Sequence, residues 1–182
     1  MARSIRIASA LAAALLALSC GKESDKLTYS NQETRIEEFV KAQIRSNESA
    51  YTVNNNGSIR LVLTEGSGEE LRKDGTISFY YAGYVMTGSS ISSSNLFATN
   101  DESLAKAAGL PTEDGACEIL TINLGETDLV EGLADGLLGV KGGEECIIMF
   151  SGRHGYGNKN LGTIPAKSAL AYRIWVESIS ND

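Results

Sequence analysis

Proline, histidine, tryptophan and cysteine are all scarce in this chain of 182 residues, which holds two Pro, one His, one Trp and three Cys. So few prolines beside 42% hydrophobic residues exclude a Pro-rich or disordered chain and leave material for a sizeable core. A zinc site needs three or four ligands, and nothing gathers around the lone His154. A Ser-His-acid set stays open on sequence alone, but there is no nucleophile-elbow pattern and no glycine-rich phosphate loop between a strand and a helix. Positive charge is short as well. The net charge is -7 and no basic stripe appears, which argues against nucleic acid, since phosphate binding runs on clustered Lys and Arg. No metal, cofactor or nucleic-acid partner is expected, and the function should be binding or a reaction that needs no charged catalyst.

Long apolar runs are missing too, with one exception at the start. Arg3 and Arg6 precede Ile7 to Leu18, a nearly unbroken apolar stretch of about twelve residues, too short to span a bilayer. Ala17-Leu18-Ser19-Cys20 follows and resembles a bacterial lipobox, in which the Cys is acylated. Residues 1–19 are therefore expected to be a signal peptide and Cys20 a lipid anchor. That makes the chain an exported membrane lipoprotein on a periplasmic or cell-surface face; ordinary secretion with cleavage near Ser19 is the alternative. Residues 20–31 are polar and aperiodic and are expected to form a tether. Export permits a disulfide between Cys117 and Cys146, but both lie in apolar, strand-like stretches, and free buried thiols are the preferred expectation.

What remains is periodic. Ser30 and Glu33 are spaced as a capping box, and Ile36, Phe39, Val40 and Ile44 recur at helical spacing, predicting an amphipathic helix over residues 32–45 within a helix-and-linker segment of 32–49. From there to residue 182 the signals are mainly β. Asn56-Gly57 joins Tyr51–Val53 to Ile59–Leu63 as a hairpin. Thr76–Tyr84 alternates, with Ile77, Phe79 and Tyr81 on one face. Ile119–Leu124, Cys146–Phe150 and Ser168–Ile179 are further strands. Short helices are expected at Asp101–Gly109 and Val130–Leu138. In the second, Gly132 and Gly136 weaken the helix by roughly 1 kcal/mol each relative to Ala, and such glycines usually let a helix lie close to a neighbour. One short helix against an antiparallel sheet of about five strands is an α+β layer architecture.

Several segments carry a resemblance. Leu124-Gly125 leads to Leu129-Val130-Glu131-Gly132-Leu133 and on to Gly143-Glu144. Ser151–Gly157 (SGRHGYG), Gly162-Thr163-Ile164-Pro165 and Ser168–Tyr172 follow; Phe79–Gly83 and Gly88–Ser94 (GSSISSS) precede. In this order and spacing over about 130 residues, they resemble the FKBP family of peptidyl-prolyl cis-trans isomerases.

The resemblance implies a curled antiparallel sheet wrapped on a short helix over residues 50–182, with the N-terminal helix added. It implies a pocket between sheet and helix and proline-containing polypeptides as partners. It assigns Leu133 to the floor under the prolyl ring, the Val130 N–H and the Tyr156 hydroxyl to substrate carbonyls, and Tyr81 to a wall. Ile91, Leu129, Ile164 and Tyr172 complete the lining, with Phe97 a further candidate. Three positions depart from the family pattern: Ser92 stands where an acid is usual, beside Ile91 in place of an aromatic, and Leu133 replaces a Trp. The segment between Ser92 and Leu124 is longer than in minimal members by about twenty residues. The expected activity is therefore prolyl isomerisation in the folding of exported proteins; a non-catalytic binding or chaperone module is the alternative.

Overall fold

The computed structural model describes residues 3–113 and 115–182, with side chains from residue 23 onward. The expected leader and the acylation of Cys20 concern side chains outside that range. No helix among the described residues is long and apolar enough to cross a membrane.

The chain opens with helix α1 (Arg3–Ser46), followed by strands β1 (Tyr51–Asn55), β2 (Ser58–Thr64), β3 (Ser67–Glu70) and β4 (Thr76–Met86). A 3-10 turn (Ser93–Asn95) leads into β5 (Leu96–Thr99) and helix α2 (Glu102–Ala108). Then come β6 (Leu120–Asn123), helix α3 (Glu131–Leu137), β7 (Lys141–Gly142), β8 (Glu145–Phe150) and β9 (Ala169–Ser180). The main sheet is antiparallel, curled and seven-stranded, in the order β1-β2-β8-β9-β4-β5, with β6 also pairing with β4; β3 and β7 form a separate ribbon. The α+β architecture is as expected, with more strands in the main sheet than the predicted five or so; β5 is the one for which the sequence pattern predicted no strand.

Period-2 alternation sorts β8 and β9 onto two faces. Cys146, Ile148 and Phe150 join Leu170, Tyr172, Ile174 and Val176 on the concave face, which closes on α3 through Leu133 and Leu137. Gly132 and Gly136 make that approach close enough. A Cβ on Gly132 would lie 2.2 Å from the Phe150 ring, and one on Gly136 would lie 2.2 Å from Ile148 Cγ2. The intrinsic cost of glycine in a helix is thus offset by direct contact between helix and sheet. Arg60, only 4% exposed, closes the far end of α3. Its guanidinium donates to the carbonyls of Gly136 (3.0 Å), Leu138 (2.7 Å) and Gly139 (3.1 Å), which the helix end leaves without partners. It also pairs with buried Glu144 at 3.2 Å.

On the convex face, Ile147, Met149, Ala169 and Ala171 pack with Leu61 and Met86 against Ile36, Phe39 and Val40 of α1. The predicted helix and its apolar stripe are present, with two corrections. Ile44, counted in the stripe, is exposed. Residues 21–30, expected as an irregular tether capped at Ser30, continue the helix. Ser30 is interior, and its carbonyl accepts from the Thr34 hydroxyl at 3.1 Å. Asp25 and Tyr29 of this stretch reach Lys167 and Arg153 of the domain, so an aperiodic apolar pattern did not mean an irregular backbone.

The thiols of Cys117 and Cys146 are free. Cys146 is buried in β8, whereas Cys117 is half-buried in a turn ahead of β6, outside the strand expected for it. Burial pushes the Cys146 thiol up, away from thiolate character.

Candidate active site

β4 has two partners along one edge. Its first half pairs with β6 at Thr76–Phe79, and its second half pairs with β5 at Ala82–Tyr84. The two partners part around Tyr81, and the gap is filled by Asn100, a residue that the sequence did not single out. Asn100 is buried; its Oδ1 accepts from the Tyr81 N–H at 2.7 Å, and its Nδ2 donates to the carbonyls of Phe79 (3.2 Å) and Glu118 (3.0 Å). The Thr99 hydroxyl donates to the Tyr81 carbonyl at 2.6 Å. These bonds fix Tyr81 and return the long excursion to the sheet after α2.

A cavity of about 250 Å³ lies beside Tyr81, lined by Tyr81, Phe97, Leu129, Val130, Leu133, Tyr156 and Tyr172 together with Phe79, Ala98, Leu120 and Asp128. It is smaller than the roughly 300–1,000 Å³ of drug-sized sites and suits one ring or side chain. Leu133, 7% exposed, comes from the buried face of α3. Phe97 meets Tyr172 edge-on, with centroids 5.7 Å apart and planes at 86°, while Phe150 stacks behind Tyr172 at 6.0 Å. Phe97 can cross β4 because Gly83 lies beneath it: a Cβ there would sit 2.7 Å from the Phe97 ring.

Two expected lining residues are elsewhere. Ile91 packs at the edge of the convex cluster with α1, and Phe97 supplies the aromatic wall in its place. The resemblance aligned GSSISSS with the wall, but this chain spends those residues on a loop and a 3-10 turn. Ser92 caps that turn, accepting from the Ser94 N–H. The residue after the wall aromatic is therefore Ala98, and the site has no acid at that position. Ile164 is buried in the concave core but does not line the hollow.

The polar features are few. Val130 precedes the first residue of α3, and among the described residues no acceptor takes its N–H. Burial, and then the neighbouring Tyr156 hydroxyl, push Tyr172 well above the ordinary tyrosine range; burial and Tyr156 also raise Tyr81. Three tyrosines, Tyr81, Tyr156 and Tyr172, thus line one apolar hollow. Among the described residues no cluster of His, Cys, Asp and Glu could hold a metal.

The fold defines a curled antiparallel sheet closed on a short helix around one apolar hollow, and sequence comparison sharpens that class. The family model for FKBP-type peptidyl-prolyl cis-trans isomerases matches residues 68–177, more than half of the chain, and the chain belongs to that family. FK506-binding protein 1 of Aspergillus oryzae is 25% identical over 118 residues, covering 65% of this chain and 94% of that protein. Among solved structures, FkpA from Escherichia coli superposes with a TM-score of 0.56 at 17% identity, over 94% of this chain and 70% of that one. The N-terminal domain of Arabidopsis thaliana FKBP42 does so with 0.53 at 18%, over 73% and 93%. These structural likenesses speak to the fold alone.

Proposed function

We propose that the hollow around Leu133 catalyses cis-trans isomerisation of X-Pro bonds in polypeptides. The observation that carries this reading is the convergence of Tyr81, Phe97, Leu129, Leu133 and Tyr172 on one apolar cavity beside the open Val130 N–H and the Tyr156 hydroxyl. The barrier to rotation is about 18–20 kcal/mol because resonance gives the C–N bond double-bond character. Unaided, the exchange takes tens to hundreds of seconds. No bond to carbon is made or broken, so no nucleophile, acid or base is needed. Water stabilises the charge-separated planar amide, and an apolar site strips that hydration. In this reading Leu133 supports the prolyl ring while Tyr81, Phe97 and Tyr172 wall it. The Val130 N–H anchors a substrate carbonyl, and the Tyr156 hydroxyl donates to the carbonyl at the rotating bond.

An isomerisation assay on an X-Pro tetrapeptide, run beside refolding of a proline-limited protein, tests the proposal. Acceleration by the wild type is expected. Tyr156→Phe should lower it about fivefold to a hundredfold, the worth of one donor of roughly 1–3 kcal/mol. An undiminished rate in Tyr156→Phe removes that role. Peptide binding without acceleration by the wild type favours a binding or chaperone module, a reading to which the loss of an acid at Ala98 contributes.

The basic start, the short apolar run and Cys20 support export and acylation, which would make exported proteins the clients. Incorporation of an alkyne-labelled fatty acid that persists in Cys20→Ala would refute the anchor.

A further inference from the structure

Tyr156 projects from a long irregular loop between Ser151 and Ser168, and such a loop does not by itself hold a hydroxyl to the precision that catalysis asks. The support comes from outside residues 68–177, which the family model matches. Asp25, Tyr29, Gln32 and Glu33 of α1 recur at one-face helical spacing, and all four face this loop. Lys167 forms an ion pair with Asp25. The Arg153 guanidinium lies over the Tyr29 ring at 5.8 Å. The Ser151 hydroxyl donates to Glu33 at 3.2 Å. Gln32 does something different from these contacts. Its Oε1 accepts from the Gly152 N–H at 2.9 Å, and its Nε2 donates to the Lys167 carbonyl at 2.6 Å. One carboxamide thus joins the two stems of the loop, using both its acceptor and its donor.

The stems are linked onward to the tyrosine. The Gly157 N–H donates to the Gly152 carbonyl at 3.1 Å, and the Lys167 N–H donates to the Gly157 carbonyl at 2.5 Å, so the residue after Tyr156 is tied to both atoms' residues that Gln32 holds. Lys167 has φ of +61°, a left-handed conformation that a lysine keeps only where its surroundings hold it.

We propose that Gln32 is a positioning residue, and that through its clamp on Gly152 and Lys167 the N-terminal helix sets where the Tyr156 hydroxyl points. This rests on the isomerase reading of the same cavity and adds to it a dependence of turnover on a helix outside the residues that the family model matches.

The test uses the full chain with Gln32→Ala, Tyr156→Phe and the double variant, with Glu37→Gln on the exposed face of α1 as control. Gln32→Ala is expected to lower kcat about threefold to tenfold with KM held within about twofold, because a misdirected donor is lost mainly in the transition state. In the Tyr156→Phe background the same substitution should change kcat by less than about twofold, the signature of two residues acting as one unit. Backbone amide exchange should quicken at least about tenfold at Gly152 and Gly157 in Gln32→Ala while the β8 amides keep their protection. Unchanged kcat in Gln32→Ala, or a full loss that persists beside Tyr156→Phe, overturns the proposal. Should the wild type prove inactive, the isomerase reading falls, and the exchange measurement alone decides the clamp: unaltered exchange at Gly152 refutes it.

Discussion

The two faces of strands β8 and β9 are built from alternate residues of the same segments, yet they end differently. Toward α1, Met149, Ala169 and Ala171 meet Ile36, Phe39 and Val40 with side chains filling the space. Toward α3, Phe150, Leu170 and Tyr172 meet a seven-residue helix too short to cover the curl of the sheet. Glycines draw α3 against Phe150 and Ile148, and the uncovered stretch beyond Leu133 becomes the hollow. A long helix with three large apolar side chains closes a face; a short helix with two glycines closes half of one. The difference between structural support and binding site is here a matter of how far the covering helix reaches.

Substitutions on neighbouring residues of β8 put that contrast to the test. Phe150→Ala should have the largest effect: a loss of about 3–5 kcal/mol of stability by urea denaturation, because the ring is wholly buried and stacks on Tyr172. It should also depress isomerisation in whatever fraction stays folded, since Tyr172 loses its backing. Met149→Ala, equally buried one residue away, should cost about 2–4 kcal/mol and leave isomerisation per folded molecule within about twofold of wild type. If Met149→Ala damages turnover as severely as Phe150→Ala, the two faces are not functionally separate.

Sequence legibility follows the same division. The hairpin at Asn56-Gly57, the alternation of β4, β8 and β9, and the glycine-bearing helix were readable because each depends on near neighbours in the chain. Tyr81, Val130, Leu133, Tyr156 and Tyr172 were placed by the resemblance and do share one cavity. Ile91 was misplaced because a loop inserted ahead of β5 shifts the wall by several residues; Phe97 could be found only from the pairing of β5 with β4. Asn100 and Arg60 carried no local signal. Each is a polar residue whose partners are backbone atoms far away in the chain, which no periodicity records. The stretch from residue 21 to 30 misled for a related reason: its contacts are polar, so its helical face shows no apolar stripe.

The smallest effect expected lies at the far end of α3, where burial, opposed by Arg60, raises the Glu144 carboxyl above its ordinary value of 4.5. In that range of pH the folded protein binds more protons than the unfolded chain. Glu144 therefore favours folding most below pH 4.5, and its contribution declines as pH rises through the elevated folded value. The usual salt-bridged carboxylate has the opposite sign. Its counterpart Arg60 directs its other donors to the carbonyls of Gly136, Leu138 and Gly139, so that one 3.2 Å contact from Arg60 and the Lys141 N–H at 3.3 Å are left to offset the desolvation of the acid. Urea titrations of wild type and Glu144→Gln between about pH 4 and pH 7 isolate this group. The difference in stability, wild type minus variant, should fall as pH rises. A difference that grows with pH would mean that the ion pair outweighs burial, and that this end of the helix is held by charge and not by the carbonyl bonds of Arg60.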